Sequence, residues 1–136
     1  MTQEIKRIRL DWQEDLHFRG GEAGRPAIQI DGDNLTGPGP MLTLLLAAAS
    51  CTGSDVVIIL KKMRIDLTRF SIEVAGTRRE EDPRRYIAIH FVYRLEGGGL
   101  DEARARRAID LSLEKYCSVM HSLAPDIKVS YDLALG

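Results

Sequence analysis

The stretch GPGPMLTLLLAAASCTGSDVVIILKKMR, residues 37–64, decides how this chain is read. Its two prolines and two glycines break the chain at the start. No further Pro or Gly follows until Gly53, so a helix begins near Pro40 and runs to about Arg64, with proline suited to its first turn. Its apolar residues, among them Leu44, Leu45, Leu46, Val56, Val57, Ile58, Ile59 and Leu60, lie nearly all round. A helix apolar on every side is a buried one. At about 1.5 Å per residue it extends roughly 36 Å, which is long for the centre of a 136-residue chain. A second subunit lying over it accounts for that length better than a protruding helix. The run from Met41 to Ala49 is too short for a bilayer span, and Asp55 interrupts its continuation.

Upstream, Ile8, Leu10 and Trp12 alternate with charged residues, as do Leu16 and Phe18 with His17 and Arg19. GGEAGRP at 20–26 is turn chemistry, and Ile28 and Ile30 resume the alternation before DGDN at 31–34. This is a meander of three short strands. Downstream, Phe70, Ile72 and Val74 make one strand and Ile87, Ile89, Phe91, Tyr93 and Leu95 a second. TRREEDPRR between them is a charged, solvated hairpin loop. Asp101 is positioned to cap a second helix, whose inner face carries Ile109, Leu113, Tyr116, Cys117 and Met120. Ala124-Pro125 stops it, and Ile127, Val129, Tyr131, Leu133 and Leu135 form a last strand. The order β-β-β-α-β-β-α-β describes a single α+β domain over residues 1–136.

The 19 basic and 20 acidic residues leave a net charge of −1. That gives no field to hold nucleic acid or an anionic membrane. The N-terminus lacks a signal-peptide core, so a cytoplasmic protein is expected. His17, His90 and His121 are scattered without metal-ligand spacing, and His17 and His90 fall on the outward phase of their strands. Gly97–Gly99 lacks the Lys-Ser/Thr of a phosphate loop and is a turn. No metal, nucleotide or other cofactor is expected.

The two cysteines, Cys51 and Cys117, do not form a secreted disulfide framework. Free cysteine is among the most buried residue types, so packing alone explains each of them. Local chemistry argues for more. Leu44, Ala48, Cys51, Asp55 and Ile58 share a helix face, and Cys51 with Asp55 is its one polar spot, with Ser50, Thr52 and Ser54 nearby. A buried Asp55 needs a donor from elsewhere, and arginine is the natural candidate. Cys117 faces inward on the other helix, so folding can bring the two thiols together.

The segments GPGPMLTLLLAAASCTGSDVVIILKKMR, RREEDPRRY and DLSLEKYCSVMHSL together resemble the OsmC/Ohr family. The match is nearest to an OsmC-like subgroup with CxxxDVVxIL at the first cysteine and EKYCSV at the second. The resemblance spans nearly the whole chain. It implies an intertwined homodimer with the long helices at its interface. It also implies a thiol-dependent peroxidase that reduces organic hydroperoxides, with Cys51 peroxidatic, Cys117 resolving and an external dithiol as reductant.

In the family an arginine from the N-terminal strands stabilises the thiolate and a glutamate near the start of the long helix orients it. Arg19 and Arg25 both lie in the corresponding hairpin, and Arg19, after the strand residues LHF, is preferred. The glutamate is missing: Met41, Leu42 and Thr43 stand there, leaving Asp55 as the substitute acid. The residue after the second cysteine is Ser118 where the family's characterised peroxidases carry proline. If the helix, read as continuous, were to break there, Cys117 would lie near a helix N-terminus, where a thiolate is favoured. Met41, Leu44, Leu45 and Met120 are the expected apolar wall of the peroxide pocket. The alternative is a non-catalytic dimer of the same fold that binds a hydrophobic or thiol-bearing small molecule.

Overall fold

The computed structural model describes residues 2–136. The chain folds as two compact units that meet in sequence at Leu44 and Leu45. The first holds a three-stranded antiparallel sheet, β1 (Arg9–Glu14), β2 (His17–Gly21) and β3 (Ile28–Asp31), in the order β1-β2-β3. Phe18 is central, pairing with Trp12 on one side and Ile30 on the other. Asp15 turns the first hairpin with a φ of 46°, a conformation aspartate tolerates better than most residues.

β3 ends on Asp31, which is wholly buried. Its carboxylate accepts the backbone N–H groups of Asp33, Leu35 and Thr36 at 2.8, 3.2 and 2.9 Å, and the Thr36 hydroxyl at 3.1 Å. The Thr36 N–H does most to hold its pKa down, to about 2. His17 was expected to face outward. Instead its Nε2 lies 3.2 Å from this carboxylate, and its side chain is mostly buried. A buried charge in the adjoining strand outweighs the alternation rule.

The helix α1 (Pro40–Lys62) starts at the expected proline. In the second unit β4 (Asp66–Arg78) and β5 (Tyr86–Gly98) form a long antiparallel hairpin, and β6 (Lys128–Leu135) pairs parallel to β5. A parallel neighbour requires a crossover. It is supplied by α2 (Glu102–Leu111), a single π-helical turn (Ser112–Tyr116) and the four-residue α3 (Ser118–His121). Asp101 caps α2, accepting the Arg104 N–H at 2.8 Å.

The core of this unit is the inward phase of β5, Ile89, Phe91, Tyr93 and Leu95, against Ala48, Val56 and Leu60 of α1 and Ala105, Ala108 and Ile109 of α2. Leu45 belongs to this core rather than to a pocket wall, lying against Gly76, where any side chain would strike the Tyr86 ring.

Two findings bear on α1 and the second helix. First, within one chain α1 is buried on one side only, so the all-round burial expected of it would rest on a second subunit. Leu42, Leu46, Val57 and Ile58 are exposed, Leu46 by 56%. Its length and composition alone would allow a membrane span, yet Ala48, Val56 and Leu60 are sealed inside the protein's own core. Second, the segment read as one helix through Met120 is broken. The π turn adds a residue, Cys117 leaves helical geometry with φ −71° and ψ 94°, and Tyr116 turns outward to 49% exposure.

Candidate functional site

Folding brings Cys51 and Cys117 near one another. Cys51 lies in the middle of α1 and is only partly buried, while Cys117, between the π turn and α3, is wholly buried. The Cys51 thiol lies near enough to the Cys117 thiol to raise its pKa. Both are free thiols. Burial is the chief reason that the Cys117 pKa is pushed up to about 11, and the neighbouring Cys51 and the charge of Asp55 push the same way. The break at Cys117 does put it at the N-cap position of α3. The Met120 N–H favours the thiolate there, although no capping bond closes. The expected activation of this thiol does not follow, because desolvation outweighs one N–H.

Behind the sulfurs runs a polar chain that the sequence reading did not assemble. The Ser112 hydroxyl donates to Asp55 Oδ2 at 2.9 Å. Thr52 Oγ1 lies 2.7 Å from Ser112 Oγ and 2.9 Å from the Tyr93 hydroxyl. Thr52, Ser112 and Tyr93 are wholly buried. Burial raises the Tyr93 pKa well above the usual phenol range, so it acts as a neutral donor. The donor supplied to Asp55 is therefore a serine hydroxyl, not the arginine expected. Tyr93 was legible as an inward strand residue whose hydroxyl needs a partner once buried. Thr52 and Ser112 carried no such sign, since each is a common residue in a helix.

Around Asp55 a pocket of ≈ 380 Å³ is walled by Ile58, Ile59, Met63, Leu111 and Tyr116, with Lys62 and Arg107 beside them. Met120 does not reach it. It lines a separate cavity of ≈ 510 Å³ with Leu113, Leu123, Ile127 and Val129. Arg19 lies in β2, exposed and paired in register with Asp11 and Gln29. Arg25 is in the turn after β2 and donates its backbone N–H to Glu22. Both belong to the first unit, as do Met41 and Leu44. Among the described residues no cluster of His, Cys, Asp or Glu forms a metal centre.

Two facing thiols on α1 and at a broken helix, in an α+β chain with two three-stranded sheets, define the class. The chain belongs to the OsmC-like protein family, whose model matches residues 31–132. Protein YhfA of Escherichia coli strain K12 is 38% identical over 124 residues, covering 90% of this chain and 92% of that one. A hypothetical protein from Aquifex aeolicus VF5 superposes with a TM-score of 0.85 at 32% identity, over 98% and 99% of the two chains. The organic hydroperoxide resistance protein OhrB of Bacillus subtilis shares the fold at 16% identity, with a TM-score of 0.59 and 96% of each chain covered.

Proposed function

We propose that this protein is a thiol-dependent peroxidase that reduces organic hydroperoxides, with Cys51 as the attacking residue and Cys117 as the resolving one. The single observation that carries this reading is the nearness of a partly accessible thiol to a buried one. The buried thiol keeps its proton at neutral pH. Cys51, the more accessible of the two, is then the one placed to meet the peroxide.

The Cys51 thiolate attacks the outer oxygen of R–O–OH. The O–O bond breaks, Cys51 becomes a sulfenic acid, and the alkoxide takes a proton and leaves as alcohol. The Cys117 sulfur displaces hydroxide from the sulfenic sulfur, its proton completes a water molecule, and a disulfide remains. An external dithiol reduces that bond by two exchange steps and is itself oxidised to a disulfide. The residues around Asp55 offer the substrate an apolar wall. Asp55 bears on the step through its charge beside the thiols. Arg19 is the residue assigned to the thiolate by family resemblance. The exposed apolar side chains of α1, Leu46, Val57 and Ile58, support a homodimer packed through that helix.

The assay is dithiol-dependent consumption of cumene hydroperoxide. Wild-type protein turns over and Cys51→Ser does not; an undiminished rate in the variant overturns the reading. One observation favours the second reading, a non-catalytic dimer that binds a hydrophobic or thiol-bearing molecule: the first turn of α1 contains no acidic residue. Negligible turnover by wild type, with a ligand seen by native mass spectrometry, would establish it.

A further inference from the structure

The hydroxyl protons of the buried chain can be counted. A serine or threonine hydroxyl has one proton to give. Ser112 spends its proton on Asp55, so it must accept from Thr52. Thr52 has then spent its own, so it must accept from Tyr93. The order Tyr93 to Thr52 to Ser112 to Asp55 is fixed in one direction, and no solvent reaches the three hydroxyls to replace a lost partner.

The same two central residues adjoin the thiols. Thr52 follows Cys51 in the chain. Ser112 accepts the Cys117 backbone N–H on its carbonyl at 2.7 Å, the bond that closes the π turn. A closed ring results: Cys51 joined covalently to Thr52, Thr52 bonded to Ser112, Ser112 bonded to Cys117, and Cys117 facing Cys51. The ring fixes where the two cysteine backbones stand relative to each other and so limits how far the sulfurs can part. π turns recur at functional sites because they redirect a side chain that a regular helix would aim elsewhere.

We propose that Thr52 and Ser112 are positioning residues for disulfide closure: their buried hydroxyl bond holds the π turn on α1 so that Cys117 stays against Cys51. This deepens the thiol-pair reading above and rests on it. Neither residue touches the peroxide.

The test separates the two ideas by using two oxidants. Diamide needs no peroxidase chemistry. Its N=N bond takes up two electrons and two protons as the two thiols become a disulfide. Mass spectrometry under denaturing conditions then reads the loss of two hydrogens over time. Thr52→Val keeps the shape and removes the hydroxyl; Thr52→Ser keeps the hydroxyl. The expected result is that wild type and Thr52→Ser close alike while Thr52→Val closes at least about tenfold more slowly, as a displaced reactant pair should. With cumene hydroperoxide, dimedone should trap more Cys51 sulfenic acid in Thr52→Val than in wild type, because its formation is untouched and its resolution is slowed. Ser112→Ala serves as a second variant should Thr52→Val not fold. Closure of both folded variants at the wild-type rate overturns the proposal, as does a wild type that forms no intramolecular disulfide with diamide. Normal diamide closure with no sulfenic acid from hydroperoxide leaves the positioning role standing and removes the peroxidase.

Discussion

Thr52 and Ser112, 60 positions apart in the chain, share a hydrogen bond of 2.7 Å in a place sealed from solvent. The bond ties the middle of α1 to the crossover between β5 and β6. Its energetic weight follows from what its loss leaves behind. In Thr52→Val the Tyr93 hydroxyl loses its acceptor inside the core, and an orphaned buried group costs about 1–3 kcal/mol. In Tyr93→Phe the orphan is avoided, because Thr52 keeps Ser112 as a partner, and the cost falls to about 1 kcal/mol. Urea unfolding of the two variants should therefore rank Thr52→Val as the more destabilised. The reverse ranking would show that the chain is not anchored at Thr52.

The thiol chemistry predicts a division by exposure and by proton. Iodoacetamide at neutral pH should label Cys51 first in the native protein, since Cys117 is buried and protonated there. Raising the pH toward about 11 should bring Cys117 into reaction. Peptide mapping of the labelled protein checks both. Preferential labelling of Cys117 at pH 7 would contradict the roles assigned to the pair.

The raised Cys117 pKa also carries a stability signature. The unfolded thiol ionises near 9.0 and the folded one near 11. Between those values the unfolded chain holds fewer protons than the native one, so stability falls as pH rises through the window. Below it both states keep the proton and this group contributes no slope. The expected outcome is an unfolding midpoint that declines from about pH 9 to 11, with a shallower decline in Cys117→Ala. Equal slopes would assign the decline to other groups.

Much of this was legible beforehand, and the failures have physical causes. Period-two alternation found the meander and β5, and the Pro40 signal found the start of α1. The helix break was hidden because π geometry changes the count by one residue while leaving helical composition intact. Ser112, Leu113 and Tyr116 look like any amphipathic turn. His17 was misread for a different reason. Alternation reports the side-chain phase of an isolated strand, whereas Asp31 sits opposite His17 in the β2–β3 register and is buried there with it. The Asp55 donor was misread because charge complementarity points to arginine, while the fold delivered a hydroxyl. The last two misses are pairings between separate elements, which local pattern does not encode.

Asp31 gives an acid-side counterpart. Its folded pKa is about 2 against an ordinary value of 3.8, chiefly because the Thr36 N–H and its neighbours bond the charged form. A depressed pKa contributes stability that is present above the ordinary value and lost as pH falls through the folded one. The turn after β3 should thus loosen between about pH 4 and 2. In Asp31→Asn one of the two accepting oxygens becomes an NH2 donor and the charge is lost, so that acid-dependent loss should vanish and the turn should be weaker at neutral pH. Amide exchange at Leu35 and Thr36 reads this directly. Protection that is equal in variant and wild type at pH 7 would show that the carboxylate does not organise the turn.

The exposed side of α1 predicts the assembly. Leu46 and Val57, 11 residues apart, lie on one flank of the helix, and Ile58 is exposed as well. Three large side chains left in water on the most apolar helix of the chain are an unstable surface for a monomer, and a second copy applied there would remove them from solvent. The chain mass is 15.2 kDa, so sedimentation equilibrium should return about twice that value. Leu46→Lys places a charge on the flank without touching Ala48, Val56 or Leu60, which are the residues that hold α1 in its own core. It should shift the protein toward monomer while circular dichroism stays unchanged. A monomeric wild type, or a Leu46→Lys dimer of undiminished affinity, would move the interface off this helix.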